Sequence, residues 1–159
     1  MSPGSERAHR GGRTASVAAG AALVARLVLA TLWLVEGAVK VHAGFGAADI
    51  GLVVEGARSD PRVPEVFGLF AEHVMAPLSG ACGIGIPVLE LALGAGLALG
   101  WGTRLLALAS SATFALYWMS DQLVVQYPVM MLLGAVVLCL ARGPVRARAP
   151  RSSVGPTHR

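Results

Sequence analysis

Four ionisable side chains lie inside long apolar segments of this 159-residue chain: Arg26, Glu36, Lys40 and Glu90. A charge at mid-bilayer depth costs roughly 2.5–3.5 kcal/mol on insertion scales, so such groups persist where they are paired, hydrated or functional. Carboxylate, ammonium and guanidinium groups can form ion pairs, transfer protons or orient a polar ligand. These four residues are therefore the first candidates for chemistry.

The spacing places these groups on helix faces that could meet. At 100° per residue, Arg26, Trp33 and Lys40 share a stripe of the first apolar segment, with Glu36 one turn before Lys40. Glu90 shares a face of the second segment with Gly83, Pro87, Gly94 and Trp101. The four charges sum to zero, as a buried network requires. Two interpretations stay open: an ion network that fixes helix register, and a ligand-binding or proton-handling site.

The composition indicates the elements that position these residues. The chain is 55% hydrophobic and 14% charged, against about 25% charge in soluble domains, and its mean hydropathy is +0.65. This excludes a disordered chain and an ordinary water-soluble enzyme. A helix needs about 20 apolar residues to cross a bilayer. The sequence predicts an all-α, integral membrane four-helix bundle with spans Val17–Val41, Ala81–Trp101, Thr103–Met119 and Val124–Leu140.

Arginine placement predicts the topology. Nine arginines precede the first span, follow the last or lie in the turn at Arg104, whereas only Arg58 and Arg62 lie between the first two spans. By the positive-inside rule both termini are expected in the cytoplasm. The basic residues bracket the apolar body, so no nucleic-acid partner is predicted. Residues 16–142 form the expected membrane domain, and the basic tails 1–15 and 143–159 are expected to be disordered.

The segment between the first two spans is predicted to carry an amphipathic helix on the outer face. Its apolar residues recur at three- and four-residue spacing between Pro64 and Leu78: Val66, Phe67, Phe70, Val74 and Leu78. Such a helix could cap the bundle, cover a cavity or dock a partner. Tyr117, Trp118 and Tyr127 flank the second outer turn, at the depth of an aromatic belt.

Small residues and cysteines in the spans indicate how the helices can pack and whether they can be cross-linked. Ala92, Gly96 and Gly100 form one small-residue row and Gly94 and Ala98 another, which permits close helix packing either within the bundle or in a homodimer. Cys82 and Cys139 lie in different spans near opposite membrane faces, so no disulfide is expected. No spacing in the sequence indicates a metal, haem or nucleotide site.

Three short segments, in this order, resemble the DoxX family of four-helix bacterial membrane proteins. They are Ala25–Leu29 leading to Glu36–Lys40, then Gly85–Leu91 with the pattern G-x-x-x-x-E-L, then Gly100–Leu105 with a Thr-Arg turn. The resemblance covers roughly residues 24–142 and maps Arg26, Gly37, Lys40, Glu90 and Arg104 to family positions. The larger outer segment and the arginine-rich tail depart from the family pattern.

The resemblance implies a multi-pass subunit of the bacterial plasma membrane in a quinone-linked or oxidative-stress and thiol oxidoreductase system. The related DoxD subunit belongs to thiosulfate:quinone oxidoreductase. In this interpretation Glu90 or Lys40 exchanges protons with a bound quinone and Tyr117 or Trp33 stacks on its headgroup. An alternative is a non-catalytic anchor or assembly subunit for a soluble enzyme. A small-solute or proton transporter is disfavoured because the spans show no inverted repeat.

Overall fold

The computed structural model describes the backbone of residues 3–121 and 126–140, and the side chains from Ser16 onward. Within these ranges the chain is all-α, as predicted, and contains no strand. Six helices follow one another: α1 Pro3–His42, α2 Ala47–Ser59, α3 Glu65–Phe70 with a π-helical turn Ala71–Met75 after it, α4 Ser79–Leu99, α5 Thr103–Met119 and α6 Gln126–Leu140.

Helices α1, α4, α5 and α6 coincide with the four predicted apolar segments. Within the described ranges, two helical stretches are long and apolar enough to cross a membrane: Ser16–His42 of α1 and Ser79–Leu99. Helix α6 is apolar but shorter, and α5 has the bounds predicted from the sequence. Helix α1 continues back through residues 3–15, which the sequence assigns to a tail. The tail 143–159 lies outside the described residues.

Helices α1 and α4 form the tightest pair because glycines remove side chains from their contact. A Cβ added to Gly94 would lie 2.9 Å from the carbonyl oxygen of Ala30, and one added to Gly37 would lie 2.8 Å from Cγ of Leu91. Helix α6 also packs on α1, and α5 packs on α4 and α6. A Cβ on Gly96 would lie 2.6 Å from Leu106 of α5. Both small-residue rows thus contact helices of the same chain.

The segment between α1 and α4, residues 43–78, is the predicted outer segment. It contains two helices where the sequence predicts one. Helix α2 was not predicted; it begins where the Asp49 carboxylate accepts a hydrogen bond from the Gly46 N–H at 2.8 Å. It packs on α3 through a small core: Ile50, Val54, Phe67, Ala71 and Met75. The buried residues of α3 and the π-helical turn, Phe67, Ala71 and Met75, recur every four positions. The π-helical turn contains more residues than the 3.6 of an α-helical turn. Of the predicted apolar stripe, only Phe67 is buried, whereas Val66, Phe70, Val74 and Leu78 are exposed.

Three contacts fix this outer segment to the bundle and to itself. A Cβ on Gly83 of α4 would lie 2.5 Å from the carbonyl carbon of Gly46, so the start of α2 rests directly on α4. Arg62 pairs with Asp121, after α5, at 2.5 Å, which places the α5–α6 turn at the same end of the bundle as α2 and α3. Arg62 also hydrogen-bonds Asp60 and holds the pKa of Asp60 at about 2, below its usual 3.8.

Candidate functional site

Three of the four predicted ionisable residues meet between α1 and α4. The Nζ atom of Lys40 lies 2.7 Å from Oε1 of Glu90 and 3.1 Å from Oε2 of Glu36. Glu36 and Lys40 are four residues apart on α1 and so lie on adjacent turns. Glu90 reaches them because Gly37 lets α4 approach at Leu91, the next residue. The predicted layer of two glutamates and one lysine is therefore present.

Glu90 is the most enclosed charged residue of this layer. Its exposed fraction is 0%, whereas the side chains of Glu36 and Lys40 retain 16% and 15%. Oε1 of Glu90 also accepts a hydrogen bond from the hydroxyl of Tyr117 on α5. Oε2 is buried and has no hydrogen-bond partner among the described residues. We call Glu36, Lys40, Glu90 and Tyr117 the charge cluster.

Arg26 lies apart from the charge cluster. Its guanidinium contacts Gly100 after the end of α4, where an added Cβ would be 2.4 Å from Nη1. Gly100 follows Glu90 by ten residues, or about 15 Å of helix rise. The predicted network of four charges with zero sum is therefore not formed. The cluster brings two carboxylates together with one ammonium.

An aromatic group borders the charge cluster on the side of α5 and α6. The indole of Trp33 stacks on Phe114 with centroids 4.7 Å apart, and its Nε1–H donates to Ser110 Oγ at 3.0 Å. The rings of Tyr117 and Tyr127 lie 5.3 Å apart. Both tyrosines are buried and face the bundle interior, whereas Trp118 is 61% exposed; their depth at a membrane boundary stays a prediction. The tyrosines point inward because their helix faces continue the buried stripes of α5 and α6.

A cavity of roughly 180 Å³ adjoins the charge cluster beneath α2 and α3. Lys40 and Tyr117 belong to both its wall and the cluster, and the ammonium lies 5.5 Å from the Tyr117 ring centroid. Thr113 and Ser120 add hydroxyl groups to the wall, and Cys82 adds a thiol. The rest of the wall is apolar: Phe45, Val53, Phe67, Phe70, Met75, Ile86, Leu89 and Leu116.

Sequence reasoning identified the cluster but not the cavity. The hydroxyls of Ser111 and Thr113 in α5 donate hydrogen bonds back to helix carbonyls at 2.9 and 3.0 Å. Ser110 instead accepts the indole hydrogen bond. The available signal was the three- and four-residue spacing of Ser110, Thr113 and Tyr117, which places all three on one buried face of α5. The wall residues of α2 and α3 gave no such signal.

The described residues contain no group of three or more His, Cys, Asp or Glu side chains that could hold a metal ion. Cys82 and Cys139 are free, with Cys82 in the cavity wall and Cys139 exposed on α6. The site thus offers an ammonium, hydroxyls and a buried carboxylate next to an apolar space. Comparison with protein-family models, with curated proteins and with solved structures gives no match.

Proposed function

We propose that the chain is a four-span protein of the bacterial plasma membrane, similar to the DoxX family, with both termini in the cytoplasm. Large apolar side chains on the outward faces of the long helices support this: Val24, Val35, Ile84, Val88, Leu105, Leu108, Val129 and Leu132 are each at least half exposed. Such a surface suits hydrocarbon better than water. The nine-to-two arginine asymmetry supports the orientation.

The proposed activity is that of a membrane subunit that binds a quinone for a quinone-linked or thiol oxidoreductase system. One observation carries this proposal: an apolar cavity whose wall includes Lys40 and Tyr117, both hydrogen-bonded to the buried Glu90. The cavity is smaller than the roughly 300–1,000 Å³ of drug-sized ligand sites, so it suits a headgroup and not a whole lipid-tailed molecule.

The donor set of the cavity fits a quinone. Quinone oxygens accept hydrogen bonds, and the ammonium of Lys40 has three N–H donors, of which Glu36 and Glu90 take two. The third can serve a ligand because Lys40 also lines the cavity. The hydroxyls of Thr113 and Ser120 already donate to the carbonyl oxygens of Ala109 and Tyr117, so Lys40 is the donor available to the ligand. Phe67 and Phe70 offer ring faces. A bound quinone supplies two-electron, two-proton chemistry, for which an oxidoreductase partner is required.

The two cysteines provide a matched test. Cys82→Phe adds a ring to the cavity wall, whereas Cys139→Phe makes the same change at an exposed position on α6. The protein is purified with native lipids, and quinone is extracted and counted by mass spectrometry. We expect about one quinone per wild-type and Cys139→Phe chain and a large loss in Cys82→Phe. Background quinone in the wild type, or full retention in folded Cys82→Phe, contradicts the proposal.

A second function is favoured by the outer surface. Leu52, Val66 and Leu69 of α2 and α3 are 73%, 67% and 53% exposed, at the end of the bundle remote from Arg26. Such a face would serve a non-catalytic anchor or assembly subunit that docks a soluble enzyme. A soluble enzyme that co-purifies with the wild type in the absence of quinone, and is lost on Leu52→Glu, supports this function instead.

A further inference from the structure

The charge cluster contains one more negative than positive side chain. Glu36 and Lys40 come from α1, Glu90 from α4 and the Tyr117 phenol from α5. The other titratable groups that face the cluster are the phenol of Tyr127 on α6, which contacts Tyr117, and the thiol of Cys82 in the cavity wall. Helices α2 and α3 contribute only apolar side chains to that wall. Among the described residues, Lys40 is therefore the cluster's one cation.

The two oxygens of Glu90 have different surroundings. Oε1 accepts hydrogen bonds from Lys40 and Tyr117, which is what the carbonyl oxygen of a neutral carboxyl group can do with its two lone pairs. Oε2 is buried and has no donor beside it. A buried carboxylate without a donor on one oxygen is costly, whereas a proton on that oxygen removes the surplus charge.

We propose that the charge cluster is a binding site for a single proton, held on Oε2 of Glu90. With that proton the cluster contains one ion pair, Lys40 with Glu36, beside a neutral carboxyl group. Glu90 is the holder because it is fully buried and its Oε2 has no donor among the described residues, whereas Glu36 is partly exposed. Oε2 then becomes a hydrogen-bond donor at the centre of the bundle. This proposal goes beyond quinone binding and does not depend on it.

Infrared spectroscopy tests the proposal because a protonated carboxyl group has a C=O stretching band that a carboxylate lacks. The full-length protein is reconstituted in lipid nanodiscs, with and without prior quinone extraction, and is titrated around neutral pH. We expect a carboxyl band equivalent to one group per chain in the wild type. We expect it to disappear in Glu90→Gln and to persist in the control Glu55→Gln, whose carboxylate is exposed on α2.

Two further variants test the charge balance itself. Glu36→Gln removes the surplus charge, so Glu90 is expected to ionise and the band to disappear although Glu90 is still present. Lys40→Met combined with Glu36→Gln leaves Glu90 without a cation, and the band is expected to return. A purely structural role for Glu36 and Lys40 predicts neither change.

A wild-type protein without the band at neutral pH overturns the proposal, as does a band that persists in Glu90→Gln or in folded Glu36→Gln. Loss of the helical circular dichroism spectrum identifies a misfolded variant; where Glu36→Gln misfolds, a folded double variant without the band overturns the proposal. The band is measured in quinone-free protein as well. Failure to find quinone therefore leaves this result intact, and failure to find the band leaves quinone binding intact.

Discussion

The pair of helices α1 and α4 accommodates two charged groups in different ways: the fully buried Glu90 at the middle of α4, and the half-buried Arg26 beside the end of α4. In the charge cluster, Glu90 is fully buried and bonded to α1 and α5 beside a cavity. At the end of α4, Arg26 lies against Gly100, where the last carbonyl groups of the helix provide a partial negative charge. The Nε atom of Arg26 is buried and has no hydrogen-bond partner among the described residues. Only the first arrangement combines several titratable groups with space for a ligand.

This difference teaches that a charge within an apolar helix does not by itself indicate a reactive site. Arg26 is stabilised by the end of a neighbouring helix, and its contact needs only the missing side chain of Gly100. Glu90 depends on partners from two other helices. We therefore interpret Arg26 as a packing contact at the helix end and keep the proposed site at the charge cluster.

Loss of the cation is expected to have the largest effect. Lys40→Met leaves Glu36 and Glu90 without a positive partner, and breaking a buried pair costs about 3–5 kcal/mol. Denaturant unfolding in nanodiscs should show this loss, and Lys40→Met with Glu36→Gln should recover most of it. The control Arg58→Met breaks an exposed pair with Glu72 and should cost less than about 1 kcal/mol. Equal losses of stability in Lys40→Met and Arg58→Met would contradict the difference between the buried and the exposed ion pair.

A side chain inserted between α1 and α4 is expected to have the next largest effect on stability. Gly94→Ala places a methyl group 2.9 Å from backbone atoms of Ala30 and Leu34, which cannot move independently of α1. Overpacking of this kind costs about 1–3 kcal/mol. Gly85→Ala on the same helix meets nothing within 4 Å and is the matched control. Unfolding curves that move equally for both variants would show that α1 and α4 are less tightly packed than described.

Removal of the half-buried charge of Arg26 should have a smaller and purely structural effect. Arg26→Met loses the interaction of a cation with the end of α4, which is worth about 0.3–1 kcal/mol and at most about 2. Quinone content and the infrared carboxyl band should be unchanged, because Arg26 does not contact the charge cluster. A loss of either signal in the folded variant would place Arg26 back in the functional site.

The smallest effect is expected for the outer ion pairs in acid. Because Arg62 lowers the pKa of Asp60 from 3.8 to about 2, Asp60 stabilises the folded outer segment above pH 3.8, and this contribution is lost as the pH falls towards 2. Hydrogen exchange of α2 and α3 should accelerate over that interval. Arg62→Gln should remove this acid-dependent step, and an unchanged step would assign it to another group.

The inward faces of the long helices could be predicted because each is a short-range pattern. The structure buries Gly83, Pro87, Glu90 and Gly94 on one stripe of α4, as the sequence indicated; Trp101, assigned to the same stripe, is 72% exposed. It lies after the left-handed Gly100, where the helical periodicity no longer applies. A pattern can place a residue on a face only as far as the helix continues.

The cavity and the separation of Arg26 could not be predicted, since both depend on contacts between helices distant in sequence. Phe45, Val53 and Phe67 reach the cavity because α2 packs on Gly83 and because the π-helical turn positions α3 above it. The charges of Arg26, Glu36, Lys40 and Glu90 sum to zero, which suggested one network. This sum contains no information on the distance along α4 between Glu90 and Gly100, the residue that Arg26 contacts.

In the proposed membrane topology, the positions of the clustered charges along the chain bear on the order in which the helices assemble. Glu36 and Lys40 are on one helix, four residues apart, and can enter a bilayer as a neutral pair. Glu90 follows about fifty residues later, in a helix without a cation of its own. In the proposed membrane topology, contact with the α1 that preceded it supplies the hydrogen-bond donor that α4 lacks, so pairing with α1 stabilises Glu90 in lipid once α4 has been synthesised.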